Sequence, residues 1–169
     1  TKAIGELLTR GISGARDEVA SSSTTSTASA KSKTIETKVV DFIFRGNSCQ
    51  RKDDGKVICQ VITINKGVSE RAIAIGGQGG KCGGRYLGYV VLASRLTDNL
   101  GNQYKAIKVQ FGAESSINSV EQVLLPDIPT NIALEFKDVS QQAQLVHIQL
   151  GVSCVSDKFG ADFFPALRN

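Results

Sequence analysis

The pattern of apolar and polar positions changes character twice along this chain. Between Thr1 and Ser21, apolar residues recur at Ile4, Leu7, Leu8, Ile12, Ala15 and Val19, three or four apart, as on one face of a helix. The spacing predicts an amphipathic helix over residues 1–20. Gly5, Gly11 and Gly14 each cost ~1 kcal/mol relative to Ala in a helix interior, and a short helix is marginal by itself. Such a helix needs a surface. Docking on its own domain or fraying as a terminus is one reading. Packing on another subunit or lying at a membrane surface is the other, with Ile4, Leu7, Leu8 and Ile12 as the contact residues.

Residues 21–34 are dominated by Ser, Thr, Ala and Lys and hold no side chain able to build a core, so they are expected to form a flexible linker. From residue 35 the period becomes that of strands. Thr37 to Gly46 alternates, with Val39, Asp41 and Ile43 set against Val40, Phe42 and Phe44. Val57 to Asn65 follows the Asp53-Asp54-Gly55 stretch, whose Asp-Gly pair favours the positive φ of a hairpin turn. These two runs are expected to pair antiparallel. Further strands are predicted at Glu70–Ile75, Tyr86–Leu96, Gln103–Phe111, Asn131–Lys137, Gln144–Val152 and Phe159–Leu167. Asn99-Leu100-Gly101-Asn102 reads as a second tight turn, and Val139 to Ala143 as a single helical turn between sheets. Eight short strands without an intervening long helix predict an all-β domain over residues 35–169, an immunoglobulin-like antiparallel β-sandwich of about 7–8 strands.

Composition narrows the chemistry. The four cysteines lack metal-ligand spacing and are accompanied by one histidine, His147, which favours disulfides over zinc. Cys49 and Cys59 flank the Asp-Gly turn almost symmetrically, at the separation a cross-hairpin bridge requires. Cys82 and Cys154 then pair by default, or reach a neighbouring molecule. Structural disulfides place the protein outside the cytoplasm. The chain starts at Thr1 and contains no Met, consistent with removal of a signal peptide or a tag. Its net charge of +4 is spread along the chain rather than gathered in a basic stripe, so no nucleic-acid partner is expected. No apolar run is long enough for a transmembrane helix.

Gly76 to Gly84 is glycine-rich but lacks the spacing and the following helix of a phosphate loop. It reads as a mobile loop, with Gly79, Gly80 and Lys81 as interaction candidates in a recognition role. His147 would have to serve as the base for any Ser or Cys nucleophile, and nothing in the pattern assembles such a set. Asp98, Asn99, Asn102 and Asp127 lack calcium-loop spacing and read as turn formers. Neither catalysis, a cofactor nor a metal is expected.

The run from Cys59 to Thr63-Ile64-Asn65, then Arg71, and the hairpin Leu96-Thr97-Asp98-Asn99-Leu100-Gly101-Asn102-Gln103-Tyr104 resemble a family of bacterial secreted and lipoprotein-borne immunoglobulin-like domains of unknown function. Pro129 to Phe136 resembles its later strand. The likeness covers residues 38–152 and implies a fold, with no catalytic residues to carry across. The function expected is that of a structural or assembly protein, a homo-oligomer or surface filament subunit using its N-terminal arm or a sheet edge. The alternative is a monomeric cell-surface or periplasmic module that binds a protein or glycan through its loops.

Overall fold

A computed structural model describes residues 6–10, 36–82 and 89–157. Among them there is no helix, and fifteen strands are present. In chain order these are β1 (Glu6–Arg10), β2 (Glu36–Val39), β3 (Phe42–Arg51), β4 (Val57–Asn65), β5 (Arg71–Gly76), β6 (Gly80–Cys82), β7 (Tyr89–Val91) and β8 (Arg95–Asp98). They continue with β9 (Gln103–Lys105), β10 (Lys108–Phe111), β11 (Glu114–Ser116), β12 (Ser119–Leu124), β13 (Thr130–Phe136), β14 (Leu145–Gln149) and β15 (Gly151–Asp157). The paired strands are antiparallel throughout and form four sheets, ordered β11-β10-β13-β4-β3-β2, β1-β14-β8-β9, β12-β5-β15 and β6-β7.

The expected hairpins form where the turn chemistry places them. β3 and β4 pair around Gly55, whose φ is +78° and whose amide donates to the Lys52 carbonyl at 3.0 Å. β8 and β9 pair around Gly101, at φ +87°. Alternation then decides which side chains are buried. In β13, Ile132, Leu134 and Phe136 are fully buried while the residues between them retain exposure. Phe42, Phe44, Val61 and Phe111 from the six-stranded sheet share one core with Leu96, Val146 and Ile148 from the four-stranded sheet and Ile73, Ile75 and Val152 from the three-stranded one. Burying each such side chain contributes about 1.5–3 kcal/mol.

Residues 6–10 correct the helical expectation for the N-terminal segment. They form a strand in register with β14, Leu7 opposite Ile148 and Leu8 opposite His147. The edge of β14 offers a row of backbone partners that a glycine-punctuated helix lacks, and long-range pairing overrides a weak local preference. The rest of the predicted helix, including Ile4 and Ile12, and the linker over residues 21–34 lie outside the described residues. Four long predicted strands are broken. Thr37–Gly46 divides at the Val40–Asp41 turn into β2 and the first half of β3. Tyr86–Leu96 divides into β7 and β8, Gln103–Phe111 into β9 and β10, and Gln144–Val152 ends one strand at Gln149 and opens another at Gly151. Val139 to Ala143 contains a turn closed by the Ala143 amide on the Ser140 carbonyl at 3.0 Å, not a helical crossing. The predicted strand Phe159–Leu167 lies outside the described residues.

The break between β7 and β8 centres on Ser94, which is fully buried. Its hydroxyl donates to the Gly76 carbonyl and accepts from the Gly151 amide. Its own amide donates to Gly77 and its carbonyl accepts from Ala106, both at 2.9 Å. Every polar group of the residue is thereby satisfied, and β5, β8 and the β14–β15 junction meet at one side chain.

Candidate interaction surface

The glycine-rich segment is part of the packed structure over its described portion, which corrects the expectation of a mobile loop. The Gly77 amide donates to Asn118 at 2.6 Å, and Gln78 donates to Ile117 at 2.8 Å. A Cβ on Gly77 would stand 2.7 Å from the Ile117 carbonyl oxygen, and one on Gly76 would overlap the Leu92 carbonyl. Absence of a side chain is used here for close backbone approach. Gly79 (φ +100°) and Gly80 turn the chain into β6, and a Cβ on Gly80 would press on Ser119 Oγ at 2.8 Å. Of the three interaction candidates in this segment, Lys81 alone points to solvent. Residues 83 and 84 lie outside the described residues.

Cys49 and Cys59 are register partners on β3 and β4 and form a disulfide, with Cα atoms 4.0 Å apart. Both are buried. Cys82 is disulfide-bonded as well and packs in a small cluster with Ala74 and Val91. Ala74 is the register partner of Ser153 on β15, immediately before Cys154. The β5–β15 register shifts between Ser153 and Ser156, so Cys154 falls at a bulge.

Of the four Asx residues expected to form turns, Asp98 makes the local turn bonds, while the side chain of Asn99 reaches the β13–β14 connection and that of Asp127 pairs with Lys66. Asp98 is buried and accepts from the amides of Leu100 and Asn102 at 2.9 Å, from Asn102 Nδ2 at 3.0 Å and from the Tyr104 hydroxyl at 2.9 Å. Burial pushes its carboxyl up, and the bonds from Asn102, Tyr104 and Leu100 outweigh that, leaving the group below its usual range. The Tyr104 hydroxyl also accepts from the Ser140 amide at 3.1 Å, tying the hairpin to the β13–β14 connection. Asn99 Oδ1 accepts from the Gln144 amide at 2.9 Å. Among the described residues no group of His, Cys, Asp and Glu could hold a metal ion.

One end of the molecule has a different character. The β2–β3 turn, the β4–β5 loop (residues 66–70) and the β12–β13 loop (residues 125–129) meet there, because Phe42 pairs with Asn65, Leu124 with Arg71 and Thr130 with Thr63. Asn65 is fully buried and joins the loops. Its Nδ2 donates to the carbonyls of Ser69 at 2.8 Å and Leu124 at 3.0 Å, its Oδ1 accepts from Gly67 at 2.9 Å, and its carbonyl accepts from the Asp127 amide at 2.8 Å. The Lys66 amide donates to the Asp41 carbonyl at 2.7 Å.

The charges at this end neutralise one another. Arg71 Nη1 meets Asp41 Oδ2 at 2.6 Å, its guanidinium standing 5.9 Å from the centroid of the Phe42 ring, and Lys66 pairs with Asp127. The aliphatic side chains instead face water. Val68 is fully exposed, and Val40, Leu125 and Ile128 are each about half exposed, at 48%, 50% and 54%. Val40 holds φ +54°, a conformation rare for a β-branched residue. Sequence reasoning missed this surface. The available signal was the presence of Val68, Leu125 and Ile128 inside polar connections rather than inside strands.

No family model, curated protein or solved structure matches this chain.

Proposed function

We propose that this chain is a non-catalytic assembly protein with an immunoglobulin-like sandwich domain, acting outside the cytoplasm as the subunit of a homo-oligomer or surface filament. The β1 strand of one copy adds to the β14 edge of the next. The observation that carries this reading is the five-residue antiparallel register between Glu6–Arg10 and Leu145–Gln149, made by a strand that lies before the low-complexity stretch. A strand edge accepts such an addition from its own chain or from a second copy through the same backbone bonds. The 25 residues from 11 to 35 span at most about 80–90 Å when extended, enough to reach a neighbour. The Cys49–Cys59 bridge and the bonded state of Cys82 support a location where disulfides persist.

The test is a full-length E6C/Q149C variant, since Glu6 and Gln149 are register partners, run under non-reducing conditions alongside light scattering across a concentration series. Cross-linked dimers and higher species that grow with concentration are expected. Closure exclusively within single chains, at monomer mass across the whole range, would sink the proposal.

A further inference from the structure

We propose that the loop end built around Asn65 is a docking surface for the segment of the same chain that follows β15, residues 158–169. Val68, Leu125 and Ile128 present aliphatic side chains to water there, while Arg71, Asp41, Lys66 and Asp127 are paired among themselves. A surface of that kind offers apolar contact without a free charge to recognise, and exposed apolar clusters on monomers commonly mark contact sites. Its occupant must bring large apolar side chains to the contact.

The chain supplies such a segment at this place. β15 ends at Asp157, opposite Arg71, and Arg71 also pairs with Leu124 at the close of β12. The chain therefore leaves the three-stranded sheet at the same end as the 66–70 and 125–129 loops. The segment that follows carries Phe159, Phe163, Phe164 and Leu167, including three of the seven phenylalanines of the whole chain. The order β12-β5-β15 separates the β12–β13 loop from the exit point by two strand spacings, about 10 Å. At roughly 3.3–3.6 Å per extended residue, Phe163 and Phe164 have ample reach. Attachment at this point gives the segment a high effective concentration over the surface.

Hydrogen exchange followed by mass spectrometry on the full chain tests this in both directions. In F163S/F164S, amides of the 66–70 and 125–129 loops are expected to exchange at least fivefold faster than in the unsubstituted protein. In V68S/I128S the same acceleration is expected within residues 159–167. Both effects should be unchanged over a hundredfold dilution. F163S/F164S replaces none of the described core residues, so it carries the test by itself if the loop variant unfolds. Unaltered exchange in the loops of F163S/F164S overturns the proposal. Protection that disappears on dilution overturns it too, since the occupant would then be a second copy.

Discussion

Ser94 Oγ accepts the Gly151 amide at 3.0 Å, and this bond holds the start of β15 against the break between β7 and β8. The same hydroxyl donates to Gly76, so its loss would orphan a buried donor and a buried acceptor. Each unsatisfied group costs about 1–3 kcal/mol. Ser94→Ala is expected to lower the unfolding free energy by roughly 2–6 kcal/mol in urea titration. Gly151→Ala should be at least as harmful, because its Cβ would overlap the Leu92 carbonyl and the backbone offers no side chain that could swing aside.

The disulfides predict a specific chemistry. Mass spectrometry of the intact protein should find no free thiol, and a non-reducing peptide map should join Cys82 to Cys154. Removing the other bridge, in C49A/C59A, opens a loop with a sequence separation of 10. By the loop-entropy relation the cost is about 2–3 kcal/mol, read as a lower denaturation midpoint with the β signature in circular dichroism retained.

Asp98 sets a pH dependence with a definite sign. Its folded pKa lies below the unfolded value, so its contribution to stability is fully present above the unfolded value and is lost as pH falls through the folded one. Unfolding midpoints measured from pH 7 to pH 2 should therefore decline in the acid range, and Asp98→Asn should flatten that decline. At neutral pH the same substitution costs about 2 kcal/mol, since bonds to a charged acceptor are stronger than bonds to an amide.

Val40 adopts φ +54° with its side chain about half exposed. Glycine relieves the left-handed strain of about 1–2 kcal/mol at the expense of unfolded-state entropy. Val40→Gly is thus expected to raise stability by about 0.5–1 kcal/mol, measured as an upward shift of the thermal midpoint. An unchanged or lowered midpoint would show that the strain does not exceed the entropic cost of glycine.

Local rules made the hairpins legible in the sequence. The Asp-Gly turn and the symmetric flanking cysteines located β4, the hairpin turn and its bridge, while the strand before it, read over Thr37–Gly46, forms as β2 and as β3 over Phe42–Arg51; the Asn99–Asn102 turn located β8 and β9. Alternation located β13. The breaks were illegible because the cause is tertiary. Nothing in Tyr86–Leu96 shows that Leu92 must turn its carbonyl onto Gly76 and Gly151, or that Ser94 must satisfy both glycines. Likewise the glycines at 76 and 77 look like permissive loop residues until the Leu92 and Ile117 backbones lie against them. β1 was misread for the same reason. Leu7 and Leu8 fit a helical face or a strand equally well, and the arbiter is the β14 edge, more than a hundred positions away. The loop end escaped notice because strand pairing, not sequence order, gathers Val40, Val68, Leu125 and Ile128.

That separation between β1 and β14 also bears on biosynthesis. About 135 residues lie between Arg10 and Leu145, and ribosomes add about 5–20 residues per second. The first strand therefore emerges roughly 7–30 s before the edge that will receive it exists in its own chain. During that interval, finished neighbours are the only molecules able to present a β14 edge to it. Crowded synthesis, with many copies emerging close together, would then favour exchange between molecules, and dilute synthesis would favour closure within one.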